Sequence, residues 1–138
     1  ENRIYLQLSE FYKASFTPSQ NVKIGEYNYD VILKSKDTLK NSDRIVEIKF
    51  LKTKLTLDVI KDAATQLILA SKHYDNSFKR RTMPFLIIIY SDNEFDLALK
   101  DFKIKVEEYA KTLSKPLRVN FIDRKKIDET RPTDYLKV

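Results

Sequence analysis

Cysteine and tryptophan are absent from all 138 residues, and glycine, histidine and methionine occur once each. Without cysteine there is no disulfide scaffold, no thiol nucleophile and no thiolate metal site. The single histidine, His73, excludes His-cluster zinc sites and leaves any Ser-His-Asp arrangement one imidazole to use. One glycine, Gly25, cannot build a glycine-rich phosphate loop or a dinucleotide fingerprint, which closes the common NTPase and dehydrogenase readings. No apolar run approaches the ~20 residues that a membrane span needs, and no signal peptide is visible. A cytoplasmic protein is the resulting expectation. The sequence opens on Glu1 rather than methionine, which leaves room for an upstream segment or a fused partner domain. A bound metal would be held by oxygen ligands, which points to magnesium or manganese.

What is present is the composition of a folded protein, 42% hydrophobic and 33% charged. A chain of this length reads as a single domain, 1–138, able to bury a core. Lysine and arginine number 26 against 20 acidic residues, a net charge of +6. That modest excess suits a polyanionic partner without specifying one.

Helical spacing of Ile4, Leu8, Phe11, Tyr12 and Ser15 predicts a first helix ending before Thr17-Pro18. "NVKIGEYNYDVILKS" alternates apolar and polar residues on both sides of Gly25, as one bent strand or two short ones. "KDTLKNSD" is a polar turn, and "RIVEIKFLK" returns as a hairpin partner. A helix follows, with Thr56 as N-cap and Leu57, Ile60, Ala64, Leu67, Ile68 and Ser71 on its inner face. After the basic loop "NSFKRRTMP", the apolar run Phe85 to Tyr90 reads as a central strand covered on both faces. Ser91 and Glu94 stand at capping-box spacing before a helix carrying Phe95, Leu99, Phe102, Val106, Tyr109, Ala110 and Leu113. It stops at Pro116. "LRVNFID" is a last strand, followed by a polar, irregular tail. The order implies an α/β fold with a mixed central sheet flanked by helices.

Within "RIVEIKFLK" a carboxylate and an ammonium, Glu47 and Lys49, fall two residues apart and so share a face. Val46, Ile48 and Phe50 take the opposite face. One strand earlier, Tyr29, Val31 and Leu33 alternate with Asn28, Asp30 and Ile32. A hairpin that buries the two apolar sets together brings Asp30, Glu47 and Lys49 onto its other side. Two acids desolvated side by side are costly unless a cation joins them. A divalent ion bridging Asp30, Glu47 and the Ile48 carbonyl would resolve this and leave Lys49 for a bound anion.

An aspartate on one strand followed by "VEIK" on the next resembles the signature of the restriction-endonuclease-like PD-(D/E)XK nucleases. Tyr29 stands where that signature often has proline. The resemblance covers about Leu8 to Tyr90. It implies the family's αβββαβ core, with the last helix and strand as an extension. It implies a magnesium- or manganese-dependent nuclease acting on DNA, with RNA as the less favoured substrate. Asp30 and Glu47 would hold the metal, and Lys49 would serve the attacking water and the pentacovalent phosphate. Gln66, in "DAATQLILA", matches a glutamine that many members carry on the following helix, and Glu10 is the candidate for a recurring first-helix glutamate, with Glu26 able to occupy the same region. Restriction, defence or repair would be the setting, and a homodimer would suit cleavage of both strands.

Lys52 and Lys54, just past the motif, and Lys79, Arg80 and Arg81 in the basic loop are candidates for gripping phosphates; a solvated basic surface is the plainer account of them. Tyr27, Tyr29 and Tyr74 are candidates for base stacking, against sheet and core packing. Two rivals to the nuclease remain. One is a catalytically silent domain of the same fold that binds nucleic acid or protein. The other is an unrelated α/β interaction domain whose charged strand face is merely solvated.

Overall fold

Three nine-residue strands, each antiparallel to the one before, follow the first helix. The computed structural model describes residues 2–51, 57–90 and 96–126. The elements run α1 (Asn2–Tyr12), β1 (Phe16–Ile24), β2 (Tyr27–Ser35), β3 (Asp43–Leu51), α2 (Leu57–Phe78), β4 (Thr82–Tyr90), α3 (Asp96–Ala110) and β5 (Arg118–Asp123). The sheet order is β1-β2-β3-β4-β5, with β3, β4 and β5 mutually parallel. The protein is thus α/β, with a five-stranded mixed sheet flanked by helices. Thr56, Ser91, Glu94 and Phe95, assigned above to helix starts, lie outside the described residues. So do Lys52, Lys54 and the tail beyond Lys126; Arg124–Lys126 themselves form a 3₁₀ turn rather than irregular chain.

Two apolar layers enclose the sheet. On one side Ile4 and Leu8 of α1 pack on Val31, Leu33, Val46, Ile48 and the odd-numbered residues of β4, Phe85, Ile87 and Ile89. On the other, Ile60, Ala64 and Leu67 of α2 and Phe102 and Val106 of α3 pack on Ile45, Leu86 and Ile88. This explains why Phe85 to Tyr90 carries no polar alternation: β4 is covered on both faces, and each buried Leu, Ile or Phe contributes about 1.5–3 kcal/mol.

Several sequence expectations are corrected. Thr17 and Pro18 do not lie between elements but inside β1. β1 is an edge strand, where a missing N–H is tolerated. Of the two readings of the Gly25 region, the two-strand one holds: Gly25 and Glu26 form a two-residue hairpin turn closed by the Ile24–Tyr27 pair. Its φ of 62° at the first central position is the geometry that makes glycine the residue of choice there. Ser15 lies past the end of α1, and Phe11 is exposed rather than facing the core. Phe50, at the far end of β3, is also exposed.

Tyr29 does not share a face with Val31 and Leu33. It packs on the α2 side, while they pack on the α1 side. The β1–β2 ladder is interrupted between Val22–Tyr29 and Gln20–Val31, where Asn21 takes a left-handed φ of 52° opposite Asp30. The in–out alternation changes phase at that point. Among the described residues, no helix is long and apolar enough to cross a membrane.

Candidate functional site

β2 and β3 pair only at Val31–Val46, Ile32–Ile45 and Leu33–Arg44. Beyond Val46 the two strands separate, which frees the backbone groups along that edge of β3. The Asp30 carboxylate takes up one of them, its Oδ2 accepting the Ile48 N–H at 2.9 Å. A strand residue's N–H and C=O project from the same edge of the strand, so the Ile48 carbonyl faces the same gap.

Glu47, one residue earlier, lies within hydrogen-bonding reach of Asp30 and 3.6 Å from the Lys49 ammonium. Its side chain is 22% exposed. Burial, reinforced by the charge of Asp30 and only partly offset by Lys49, pushes the Glu47 carboxyl up to about 7. Two acids are therefore held together against their mutual repulsion, with a half-exposed lysine beside them.

Glu47 and Lys49 open on a cavity of about 230 Å³ beneath the β1–β2 turn. Gln66 and Ala70 of α2 form one wall, and Glu26, Tyr27 and Asn28 form another. The helix brings Gln66 here because Ala63 and Ala70, its neighbours one turn away, are buried and small enough for close approach to the sheet. Of the residues singled out in the sequence, the fold gathers Asp30, Glu47, Lys49 and Gln66. It does not gather Glu10, which is exposed on α1, ion-paired to Lys13 at 2.8 Å, and absent from the cavity wall.

Glu26 does line the cavity, but among the described residues no third acid or histidine joins Asp30 and Glu47 as a metal-holding group. Asn28 was not singled out for this wall. The phase change at Asp30 turns Tyr27 and Tyr29 toward this cavity, and no periodicity within β2 alone signals that change.

His73 supports the same wall from below. Its ring lies 5.0 Å from that of Tyr27 and 3.1 Å from where a Cβ on Gly25 would sit. Tyr29 and Tyr74 are core residues. The Tyr29 hydroxyl donates to the Ala70 carbonyl at 2.9 Å, and burial pushes that hydroxyl up to about 12. Stacking on bases is therefore closed to Tyr29 and Tyr74, which are both buried.

The basic connection also divides. Arg80 is not a free cation: its Nε and one Nη donate to the two Asp43 oxygens at 2.7 and 2.9 Å. Asp43 is 1% exposed and also accepts the Ser35 N–H and the Tyr74 hydroxyl. Burial alone would raise the Asp43 carboxyl, but Arg80, Ser35 and Tyr74 together hold it below the ordinary value. Arg80 thus ties the start of β4 to the β2–β3 hairpin. Lys79 and Arg81, on either side of it, are exposed.

The donor set of two carboxylates and a main-chain carbonyl is all oxygen, as a hard divalent cation requires. The proximity of Glu47 to Asp30 is the feature that such a charge would relieve. The residues present therefore fit magnesium or manganese. No protein-family model matches the chain, and no curated protein matches it.

Proposed function

We propose that the protein is a metal-dependent nuclease that hydrolyses phosphodiester bonds of DNA at the gap between β2 and β3. The observation that carries this reading is the placement of Lys49 beside Glu47, which burial and the nearby Asp30 carboxylate hold up to about 7, on a cavity that Gln66 also lines. A solvated sheet face has no reason to press two carboxylates together. The restriction-endonuclease-like fold that the sequence resembles belongs to the same proposal, and the element order and mixed sheet support it.

Asp30, Glu47 and the Ile48 carbonyl would hold magnesium or manganese, which supplies a Lewis acid for the phosphoryl oxygens and lowers the pKa of a bound water. Asp30 is positioned for this by the Ile48 N–H, which fixes one of its oxygens. Lys49 carries a compact charge to the mouth of the cavity. There it orients the attacking water and offsets charge developing on the non-bridging oxygens. Gln66, with a donor and an acceptor on one amide, faces the same space and can bind either the water or a phosphate oxygen.

Cleavage of a labelled oligonucleotide in magnesium, manganese or EDTA tests the proposal, with Lys49→Ala and Asp30→Asn run alongside. Metal-dependent cleavage that both variants abolish is the expected result. Persistent cleavage in the variants overturns the site. Binding without cleavage by the wild-type protein favours a silent domain of the same fold.

A further inference from the structure

The β2–β3 hairpin loop and the short α2–β4 connection meet at the start of β3 and enclose a second cavity of about 500 Å³. Lys34, Asn41, Ser42, Phe78, Lys79 and Arg81 line it above the Asp43–Arg80 pair. Because Arg80 neutralises Asp43, the wall is left with three uncompensated cations, Lys34, Lys79 and Arg81. All three are exposed, and among the described residues none is engaged by a carboxylate.

Two further features set this surface apart from an ordinary basic loop. Lys79 holds a left-handed φ of 56° immediately after α2, where glycine or asparagine is the usual residue. A lysine kept in that conformation puts its charge at the cavity despite the backbone strain. Phe78 is 45% exposed, with its ring braced 4.7 Å from that of Tyr74, so a fixed aromatic face stands beside the cations. The loop opposite is ordered as well. Asp37 accepts the Leu39, Lys40 and Asn41 N–H groups, and Leu39 projects from the tip at 94% exposure. A lone inorganic anion would make no use of the aromatic ring. A nucleotide uses a cationic and an apolar surface together.

We propose that this cavity binds one nucleotide of a nucleic-acid strand, its phosphate on Lys34, Lys79 and Arg81 and its base against Phe78. The proposal rests on the reading of the protein as one that acts on nucleic acid, and it adds a strand-gripping site separate from the Glu47–Lys49 gap. Asp43 and Glu47 lie on the same strand and the same face, four residues apart, which is roughly 13 Å at ~3.3 Å per residue. That span matches about four nucleotides at 3.4 Å of axial rise each. One strand can then occupy both sites, and the cavity sets where it is cut.

The test is equilibrium binding of a fluorescent single-stranded DNA 12-mer by anisotropy in EDTA, where no cleavage occurs. The wild type is compared with Lys34→Ala/Lys79→Gly/Arg81→Ala, with Phe78→Ala and with Lys105→Ala. Thermal melting confirms that each is folded, and Lys79→Gly removes the charge while relieving the backbone. The triple variant is expected to bind roughly a hundredfold more weakly at 0.1 M salt, with a salt slope lower by about 0.7 for the one phosphate released. Phe78→Ala is expected to weaken binding by about tenfold. Lys105→Ala, an exposed lysine on α3 that lines neither cavity, is expected to bind as the wild type does. Unchanged affinity in the folded triple variant overturns the proposal. So does equal competition by inorganic phosphate or by polyglutamate, which would make the cavity a general anion site. Loss of binding in the triple variant together with a wild type that never cleaves would leave this site standing and remove the nuclease reading.

Discussion

The Oδ2 of Asp30 accepts the Ile48 N–H at 2.9 Å, in the place a β2 carbonyl would fill if the two strands stayed paired. One carboxylate therefore closes the backbone of β3 and faces the candidate metal site. The two tasks are separable. Asp30→Asn keeps an acceptor for Ile48 and is expected to melt close to the wild type. Asp30→Ala leaves that N–H unsatisfied and is expected to lose about 1–2 kcal/mol in chemical denaturation. Both are expected to lower cleavage by on the order of a thousandfold.

Glu47 gives the protein a characteristic pH dependence. With its carboxyl held up to about 7 against an ordinary 4.5, the folded metal-free protein keeps a proton that the unfolded chain has already released. The stabilising contribution is complete below about pH 4.5 and is lost as pH rises to about 7. Glu47→Gln is expected to remove this slope. At pH 8 it should be the more stable protein in EDTA, by no more than about 3 kcal/mol and less to the extent that water reaches the site.

Metal affinity should run the other way. Manganese and the Glu47 proton compete for one carboxylate, so the apparent affinity is expected to rise about tenfold per pH unit below 7 and level off above it. Titration calorimetry at pH 5.5, 6.5 and 8 reads this directly, in buffers of different ionisation enthalpy that count the released proton.

Asp43 behaves as a structural acid. Its carboxyl is held below the ordinary value, so its stabilisation is present above about pH 3.8 and fades as pH falls through the lower, folded value. Asp43→Ala strips Arg80, Ser35 and Tyr74 of a shared acceptor and is expected to cost about 3–5 kcal/mol. Urea denaturation at pH 7 measures it.

Gly25→Ala combines an unfavourable φ of 62° with a Cβ only 3.1 Å from the His73 ring. A loss of about 1–2 kcal/mol is expected in thermal or urea melts. His73→Ala in the same chain should return the steric part and leave the backbone part. Glu10→Ala, by contrast, is expected to leave both cleavage and melting unchanged, because Glu10 is exposed and paired only with Lys13 among the described residues.

Much of the fold was legible in the sequence because its signals are local. The 3.6-residue spacing from Leu57 to Ser71 marks the buried side of α2, and the unbroken run in β4 marks a strand covered twice. Glu47 and Lys49 share a face by the period of a strand, and Gln66 reaches their cavity because it lies among small buried neighbours. The sequence by itself determined these, since each depends only on the period of one element and on which residues can be buried.

What the tertiary structure decided depends on partners distant in the chain. Asn21 and Asp30 break the β1–β2 alternation together, which moves Tyr29 to the α2 face and onto the cavity wall. Arg80 and Arg81 read alike in a basic loop, yet burial of Asp43 captures one and leaves the other exposed. Glu10 carries the same carboxylate as Glu47, but α1 leaves it in solvent beside Lys13. A side chain's charge is written in the sequence. Whether that charge is spent on a neighbour or left for a ligand follows from desolvation and proximity, which only the packed chain sets.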